Sequence, residues 1–143
     1  MTFVSRDVLE ASGLDDAIAR ASVENQGGGL HFNLAMTSSP GIHWGVETSP
    51  LGSSALQFPV GLSHHCNAYL HDTLVKMNVE GRTGPFLDSS TYRQSRVEAR
   101  GKELSPTVDM TPSSAKTFVL ETIGDNEDSS YPIFRSGASP DYG

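Results

Sequence analysis

Turn-forming residues interrupt the sequence about every ten residues, which limits the length of any helix or strand between them. Clusters such as NQGGG (25–29), SSPG (38–41) and SPLGSS (49–54) combine the residues that favour turns. The runs between the later clusters are short, and several alternate between apolar and polar residues, as half-buried strands do. This spacing predicts short antiparallel strands joined by turns.

The clearest strand pattern lies in LHFNLAMT (30–37), where every second residue is apolar and His31 and Asn33 point to the opposite side. The other predicted strands are IHWGVET (42–48), ALQFPVGL (55–62), LVKMNVE (74–80), TYRQSRVEAR (91–100) and AKTFVLETI (115–123), and YPIF (131–134) closes the structured part. Pro59 confines its strand to a sheet edge or a bulge. The run 115–123 is the most β-prone, because β-branched and aromatic residues dominate it.

The first 26 residues differ from the rest because they favour helices. Ser5 is the predicted N-cap of a first helix, and Asp7 lies in its first turn, where a negative charge favours the helix dipole. Gly13 can end this helix, and a second is predicted over residues 15–22. Alanines make the second helix favourable but give it little apolar area to bury, so we expect a light helical arm.

These elements predict an α+β fold leaning to mainly β. The expected architecture is a small antiparallel barrel or sandwich of about six or seven short strands, with N-terminal helices and an extended C-terminal arm. The predicted organisation is an N-terminal helical arm (1–26), a β-rich core domain (27–124) and the C-terminal arm (125–143), which is rich in serine, glycine, proline and acidic residues.

Charge and hydropathy limit the kinds of partner that this chain is expected to bind. Ten basic residues against seventeen acidic ones give a net charge of −7, which argues against nucleic acid as a partner. The apolar runs are far shorter than the roughly 20 residues that span a bilayer, so we expect no membrane contact. A signal peptide is not evident at the start. The expected location is therefore the cytoplasm at synthesis, with later incorporation into a particle equally compatible.

The stretch GLSHHCNAYLH (61–71) holds three of the five histidines and the single cysteine. Neighbouring His64 and His65 would point to opposite faces of a strand. On a helix, His64 and His71 would lie about 10.5 Å apart along the axis, too far to share one zinc ion. We therefore predict no locally built metal site and no cofactor. A metal site assembled with His31 and His43 from other strands stays open as an alternative.

A helix capped by Ser63 suits the same stretch better than a strand does. Cys66, Leu70, Leu74 and Met77 would then form one apolar stripe, as helical periodicity requires. This interpretation competes with the strand predicted over residues 74–80, and the sequence leaves open whether 63–77 is helix or strand.

The leading functional hypothesis is a structural or interaction protein without an evident catalytic signature. It would be a subunit of a larger symmetric assembly, such as an accessory or connector protein of a virus or phage particle, with other protein subunits as its partners. The residues predicted to bind such partners are Tyr131, Pro132, Ile133 and Phe134 on the C-terminal arm and Tyr92, Arg93 and Arg96 on the polar strand 91–100.

The alternative is a small β-barrel enzyme or ligand-binding domain, since histidine suits acid–base and ligand chemistry near neutral pH. Its pocket would be lined by His31, His43, Trp44, His65 and His71. A third hypothesis is a small immunity-type or regulatory binder that uses its exposed edge strand. Whether the chain is an enzyme is left open, with a non-enzymatic role favoured.

Overall fold

The computed structural model describes residues 2–58, 63–77, 85–104 and 111–124. The chain divides into two compact units, Met1–Gly81 and Arg82–Gly143. Among the described residues, the first unit has a three-stranded antiparallel sheet and three helices, and the second unit has two helices. Among the described residues, no helix has the length and apolar character needed to cross a membrane.

The sheet has the strand order β1 (Leu30–Ala35), β2 (His43–Ser49) and β3 (Gly52–Phe58), each antiparallel to its neighbour. All three coincide with strands predicted from alternation and turn signals. The third strand begins earlier than predicted because Ser49 and Gly52 pair directly across a tight turn. Residues 59–62 of the third prediction, including Pro59, lie outside the described residues.

Strand register assigns the side chains to two sheet faces. His31 pairs with Glu47, and Glu47 pairs with Ser54, so these three form one row across the sheet. We call the face that carries this row the histidine face. Val46, which is fully buried, lies on the opposite face because neighbouring residues of a strand point to opposite sides.

The N-terminal helices are confirmed as α1 (Thr2–Leu9) and α2 (Leu14–Ala21). The first helix starts at Thr2, so Ser5 is inside it and the predicted N-cap at Ser5 is wrong. The second helix contacts β1 and β2, and buries Ala17 and Ala21. Small side chains on this helix permit close packing, so it is part of the first unit's core.

An arginine joins the two helices. Arg20 Nη1 donates to Asp7 Oδ1 at 2.6 Å, and its Nε donates to Asp16 Oδ1 at 2.8 Å. The hydrogen bond from Arg20 and the backbone hydrogen bond from Ser12 lower the pKa of Asp16 to about 2. The corner between the helices is therefore held by charged hydrogen bonds as well as by packing.

The predicted barrel or sandwich is wrong, since the described residues form a single open three-stranded sheet. Two of the predicted strands, 91–100 and 115–123, lie instead within α4 (Pro85–Leu104) and α5 (Pro112–Ile123). Polar residues around α4 interact at helical spacing, as in the Gln94–Glu98 hydrogen bond of 3.0 Å.

Capping explains why α5 forms despite its β-prone composition. Thr111 is the N-cap and accepts a hydrogen bond from the backbone N–H of Ser114 at 3.2 Å, while Pro112 occupies the first turn. Pro112 therefore stands at the start of a helix. Local capping and tertiary context outweigh strand propensity here.

Neither prediction for residues 63–77 matches the structure. Residues 63–71 have no regular secondary structure, and a short helix, α3 (Asp72–Lys76), follows them. Of the predicted stripe, Cys66 and Leu74 are buried whereas Leu70 and Met77 are exposed. The predicted strand 74–80 is wrong over its first three residues, which are helical, and its last three lie outside the described residues.

The remaining predictions about organisation are untested. The C-terminal arm, 125–143, with its predicted contact residues 131–134, lies outside the described residues. The division into an arm (1–26), a core (27–124) and an arm stays a prediction.

Candidate metal centre

A fully buried carboxylate organises the histidine face. Glu47 lies in the central strand and is 0% exposed. Its Oε1 accepts hydrogen bonds from His65 Nε2 at 2.9 Å and from the Leu70 backbone N–H at 2.7 Å. Its Oε2 accepts the backbone N–H of His71 at 2.8 Å. A buried charge is tolerated only when it is paired in this way.

The hydrogen bonds determine the ionisation of this carboxylate. Burial raises the pKa of Glu47, but the hydrogen bonds from His65 and from the His71 and Leu70 backbones together outweigh burial. The pKa of Glu47 therefore lies below its ordinary value, and the side chain is a carboxylate at neutral pH.

All three donors belong to residues 63–71, which we call the strap. The strap is tied to the sheet at further points. Tyr69 Oη donates to the Thr48 carbonyl at 3.1 Å, and Ser63 Oγ lies 2.9 Å from His43 Nε2. The strap therefore lies across the sheet and brings residues distant in sequence beside Glu47.

His31 presents a buried nitrogen to this carboxylate. Its Nε2 lies 3.2 Å from the amide oxygen of Asn33, which can only accept, so Nε2 carries the proton. The neutral ring then has a lone pair on Nδ1, which lies 3.9 Å from Glu47 Oε1. Nδ1 is buried and has no hydrogen-bond partner among the described residues, and the side chain is 9% exposed.

His71 repeats the same arrangement from the strap. Its Nδ1 lies 3.0 Å from the Ser54 carbonyl oxygen, an acceptor, so Nδ1 carries the proton. The lone pair is therefore on Nε2, which is buried and for which the described part of the chain provides no hydrogen-bond partner. The residue as a whole is 3% exposed.

The imidazole rings are in mutual contact. The rings of His31 and His65 stack with centroids 3.8 Å apart, and the rings of His31 and His71 meet edge to face at 6.1 Å. The ring of Phe58 also approaches two of the imidazoles, with its centroid 6.4 Å from that of His71 and 5.3 Å from that of His43. Burial, reinforced by the neighbouring His65, lowers the pKa of His31.

Four residues predicted for a histidine pocket, His31, His43, His65 and His71, are thus on or against one sheet face. The fifth, Trp44, has the opposite strand phase and belongs to the other face. The pocket prediction missed Glu47, which connects the histidines. One signal was present in the sequence: Glu47 has the same strand phase as His43 and is the only acidic residue of the predicted strand 42–48.

The residues predicted to bind protein partners are elsewhere. Tyr92, Arg93 and Arg96 lie on α4 in the second unit, where Arg93 Nε donates to the Ser89 carbonyl at 3.2 Å. The predicted set at 131–134 lies outside the described residues.

Three donor atoms are close enough to bind one ion. His31, Glu47 and His65 each offer one ligand atom, and these three atoms all lie within 4.8 Å of one another. Ligand atoms around a tetrahedral zinc ion are about 3.3 Å apart, given bonds of roughly 2.0–2.1 Å. Glu47 Oε1 lies 2.9 Å from His65 Nε2 and 3.9 Å from His31 Nδ1, so one distance is shorter and the other longer than that value. An ion would take the place of the proton between His65 and Glu47.

Gly45 leaves room for this arrangement. A methyl group at Gly45 would lie 2.5 Å from carbons of the Phe58 ring and 3.1 Å from His31 Cε1. We expect Gly45→Ala to lower the free energy of unfolding by about 1–3 kcal/mol, as overpacking does. Urea denaturation measures this loss. Gly28→Ala is the matched control, because a methyl group there meets nothing within 4 Å. Equal losses for both variants would contradict the packing described here.

No protein-family model, curated protein or solved structure matches this chain. The chemistry of Glu47 and the surrounding histidines is therefore the principal evidence for function.

Proposed function

We propose that the chain is a ligand-binding domain whose ligand is a divalent transition-metal ion. The ligand atoms are His31 Nδ1, Glu47 Oε1 and His65 Nε2. The observation that carries this proposal is the buried lone pair on His31 Nδ1, which has no hydrogen-bond donor among the described residues and lies beside a buried carboxylate. Most buried polar atoms in proteins are satisfied, and a metal ion beside the carboxylate would satisfy this nitrogen.

A proton on His31 would also satisfy Nδ1, but the surroundings oppose it. Burial and the neighbouring His65 both lower the pKa of His31, which leaves the ring neutral at pH 7. A neutral imidazole is the form that binds metals. The carboxylate of Glu47 supplies the negative charge that partly offsets the charge of a divalent ion.

The donor set also indicates the class of metal. Two imidazole nitrogens and one carboxylate oxygen suit zinc and neighbouring first-row transition metals. Calcium and magnesium prefer six or more oxygen ligands, which three donors of this kind do not provide. We therefore expect zinc, cobalt, nickel or copper to bind, and magnesium and calcium to bind far more weakly.

Cobalt titration followed by visible absorption tests the proposal. We expect the full chain, after chelator treatment, to bind one Co²⁺ ion, which zinc then displaces. His31→Ala and His65→Ala should each lower the affinity for cobalt by about 100-fold or more. Replacing residues that only hydrogen-bond to metal ligands already lowers metal affinity by about 10–100-fold.

His64→Ala is the matched control, because it removes a histidine next to His65 that is not one of the proposed ligands. It should bind cobalt like the wild type. If His31→Ala and His64→Ala bound cobalt equally well, the proposal would be wrong.

The assembly subunit remains a second candidate, supported by exposed apolar surface near the sheet. Leu51 and Met77 are 69% and 43% exposed, and Met77 lies beside Gly52 at the turn between β2 and β3. Such surface suits contact with other copies or other protein subunits. Sedimentation equilibrium of the purified chain should give a mass above the 15.3 kDa monomer, and a monomer at all concentrations would contradict this candidate.

A further inference from the structure

We infer that His71 Nε2 is the fourth ligand, and that the metal centre is a closed site with four protein ligands. This inference rests on the proposed function, since it concerns the same ion. It assigns the centre to the class that holds a structure together, in contrast to catalytic centres, which keep a position open for water or substrate.

The first support is the protonation pattern of His71. Metal-binding histidines usually donate their other ring N–H to a carbonyl or carboxylate, which fixes the ring and turns the free lone pair to the metal. His71 donates Nδ1–H to the Ser54 carbonyl at 3.0 Å, and its buried Nε2 is left without a hydrogen-bond partner in the described part of the chain. His31 has the same pattern through Asn33.

A purely structural role explains only part of this arrangement. The backbone N–H of His71 holds Glu47, and Nδ1 holds Ser54, so both contacts anchor the strap. Neither contact accounts for a buried acceptor nitrogen that lacks a donor, an arrangement that costs free energy. A metal ion at Nε2 would remove that cost.

The second support is that the His71 ring contacts the ring of His31, one of the proposed ligands. Two imidazoles on one tetrahedral zinc ion have centroids roughly 5 Å apart, given Zn–N bonds of about 2.0–2.1 Å. The centroid of His31 lies 3.8 Å from that of His65 and 6.1 Å from that of His71. Both pairs differ from the expected spacing by roughly 1 Å, and His71 is not among the three residues whose ligand atoms all lie within 4.8 Å of one another, so binding of three imidazoles to one ion requires the rings to move.

Burial supports a closed centre. Glu47 is 0% exposed, His71 is 3% exposed, and the side chain of His31 is 9% exposed. The side chain of His65 is 18% exposed, so three of the four proposed ligands are buried and the fourth is partly exposed. The sheet supplies His31 and Glu47 while the strap supplies the other two ligands, so the ion would cross-link the strap to the sheet.

X-ray absorption of the zinc-loaded full chain tests this inference without any substitution. We expect a four-coordinate ion whose outer-shell scattering fits three imidazoles. Two imidazoles with one or more water ligands would overturn the closed site but leave the proposed function intact. A chain that retains no zinc would overturn both.

Cobalt spectra of His71→Ala provide the second test. The wild type should give the intense visible bands of tetrahedral cobalt. The variant should still bind cobalt, with about 100-fold lower affinity or more, as for the other ligands, and with weaker bands, because water replaces the lost ligand. His64→Ala should retain the wild-type spectrum. Unchanged bands and affinity in a folded His71→Ala variant would overturn the inference, and if that variant fails to fold, the X-ray absorption of the wild type decides.

Discussion

Replacing Glu47 with alanine is expected to lower the free energy of unfolding by about 3–5 kcal/mol, the range found when one partner of a buried charged pair is removed. The loss arises because three donors, His65 Nε2 and the Leu70 and His71 backbone N–H groups, lose their acceptor together. Each buried donor left unsatisfied costs about 1–3 kcal/mol. Since domains of this size have about 5–15 kcal/mol in total, such a loss is a large fraction of stability.

Urea denaturation of metal-free protein measures the effect. Glu24→Ala is the matched control, because Glu24 is an exposed carboxylate and should change stability by no more than about 0.5 kcal/mol. The free energy of unfolding of Glu47→Gln should lie between those of Glu47→Ala and Glu24→Ala, because the amide retains one acceptor oxygen but places an NH₂ group against a donor. A Glu47→Ala variant whose free energy of unfolding lies within about 1 kcal/mol of the wild-type value would show that the carboxylate does not hold the strap.

The second large effect is stabilisation by zinc. A ligand that binds only the folded state adds about 2.7 kcal/mol at a free concentration 100 times its dissociation constant. For a chain of this length, that corresponds to a rise in Tm of roughly 10 °C. The rise is expected because the ion joins the sheet residues His31 and Glu47 to the strap residue His65. Circular dichroism melts of the full chain with and without zinc measure it.

Three controls make the melting experiment specific. Magnesium should leave Tm unchanged, a chelator should reverse the effect of zinc, and the His31→Ala/His65→Ala double variant should lose the response. The double variant also excludes zinc bound to surface carboxylates. A wild-type chain whose Tm is indifferent to saturating zinc, or an equal shift in the double variant, would contradict the proposed centre.

Sequence patterns predicted the three strands and the two N-terminal helices, but not the helices α4 and α5. Strand alternation in 30–37 and the flanking turn clusters located β1, because one face of that strand is consistently more apolar than the other. Residues 91–100 and 115–123 carried no such alternation, and their polarity or β-branching was overridden by helix capping at Thr111 and by i,i+4 pairing. Periodicity alone could not distinguish a strand from a helix in these two runs.

The candidate site was predictable only in part. Histidine clustering in 61–71 drew attention to the strap, whereas local spacing predicted that no two of those histidines chelate as a helix or strand pair. The missing information was long-range: strand register places His31 opposite Glu47, and an irregular strap returns His65 and His71 to the same carboxylate. The one acidic residue of the predicted strand 42–48 was the available signal, and its partners depend on tertiary structure.

Isothermal titration of zinc into the chelator-treated full chain tests the central claim most directly. The account predicts one saturable site with a dissociation constant of about 1 µM or tighter, equivalent to roughly −8 kcal/mol or better. The heat of binding should disappear in the His31→Ala/His65→Ala double variant and persist in His64→Ala. A wild-type chain that takes up no zinc at a single saturable site would contradict the account.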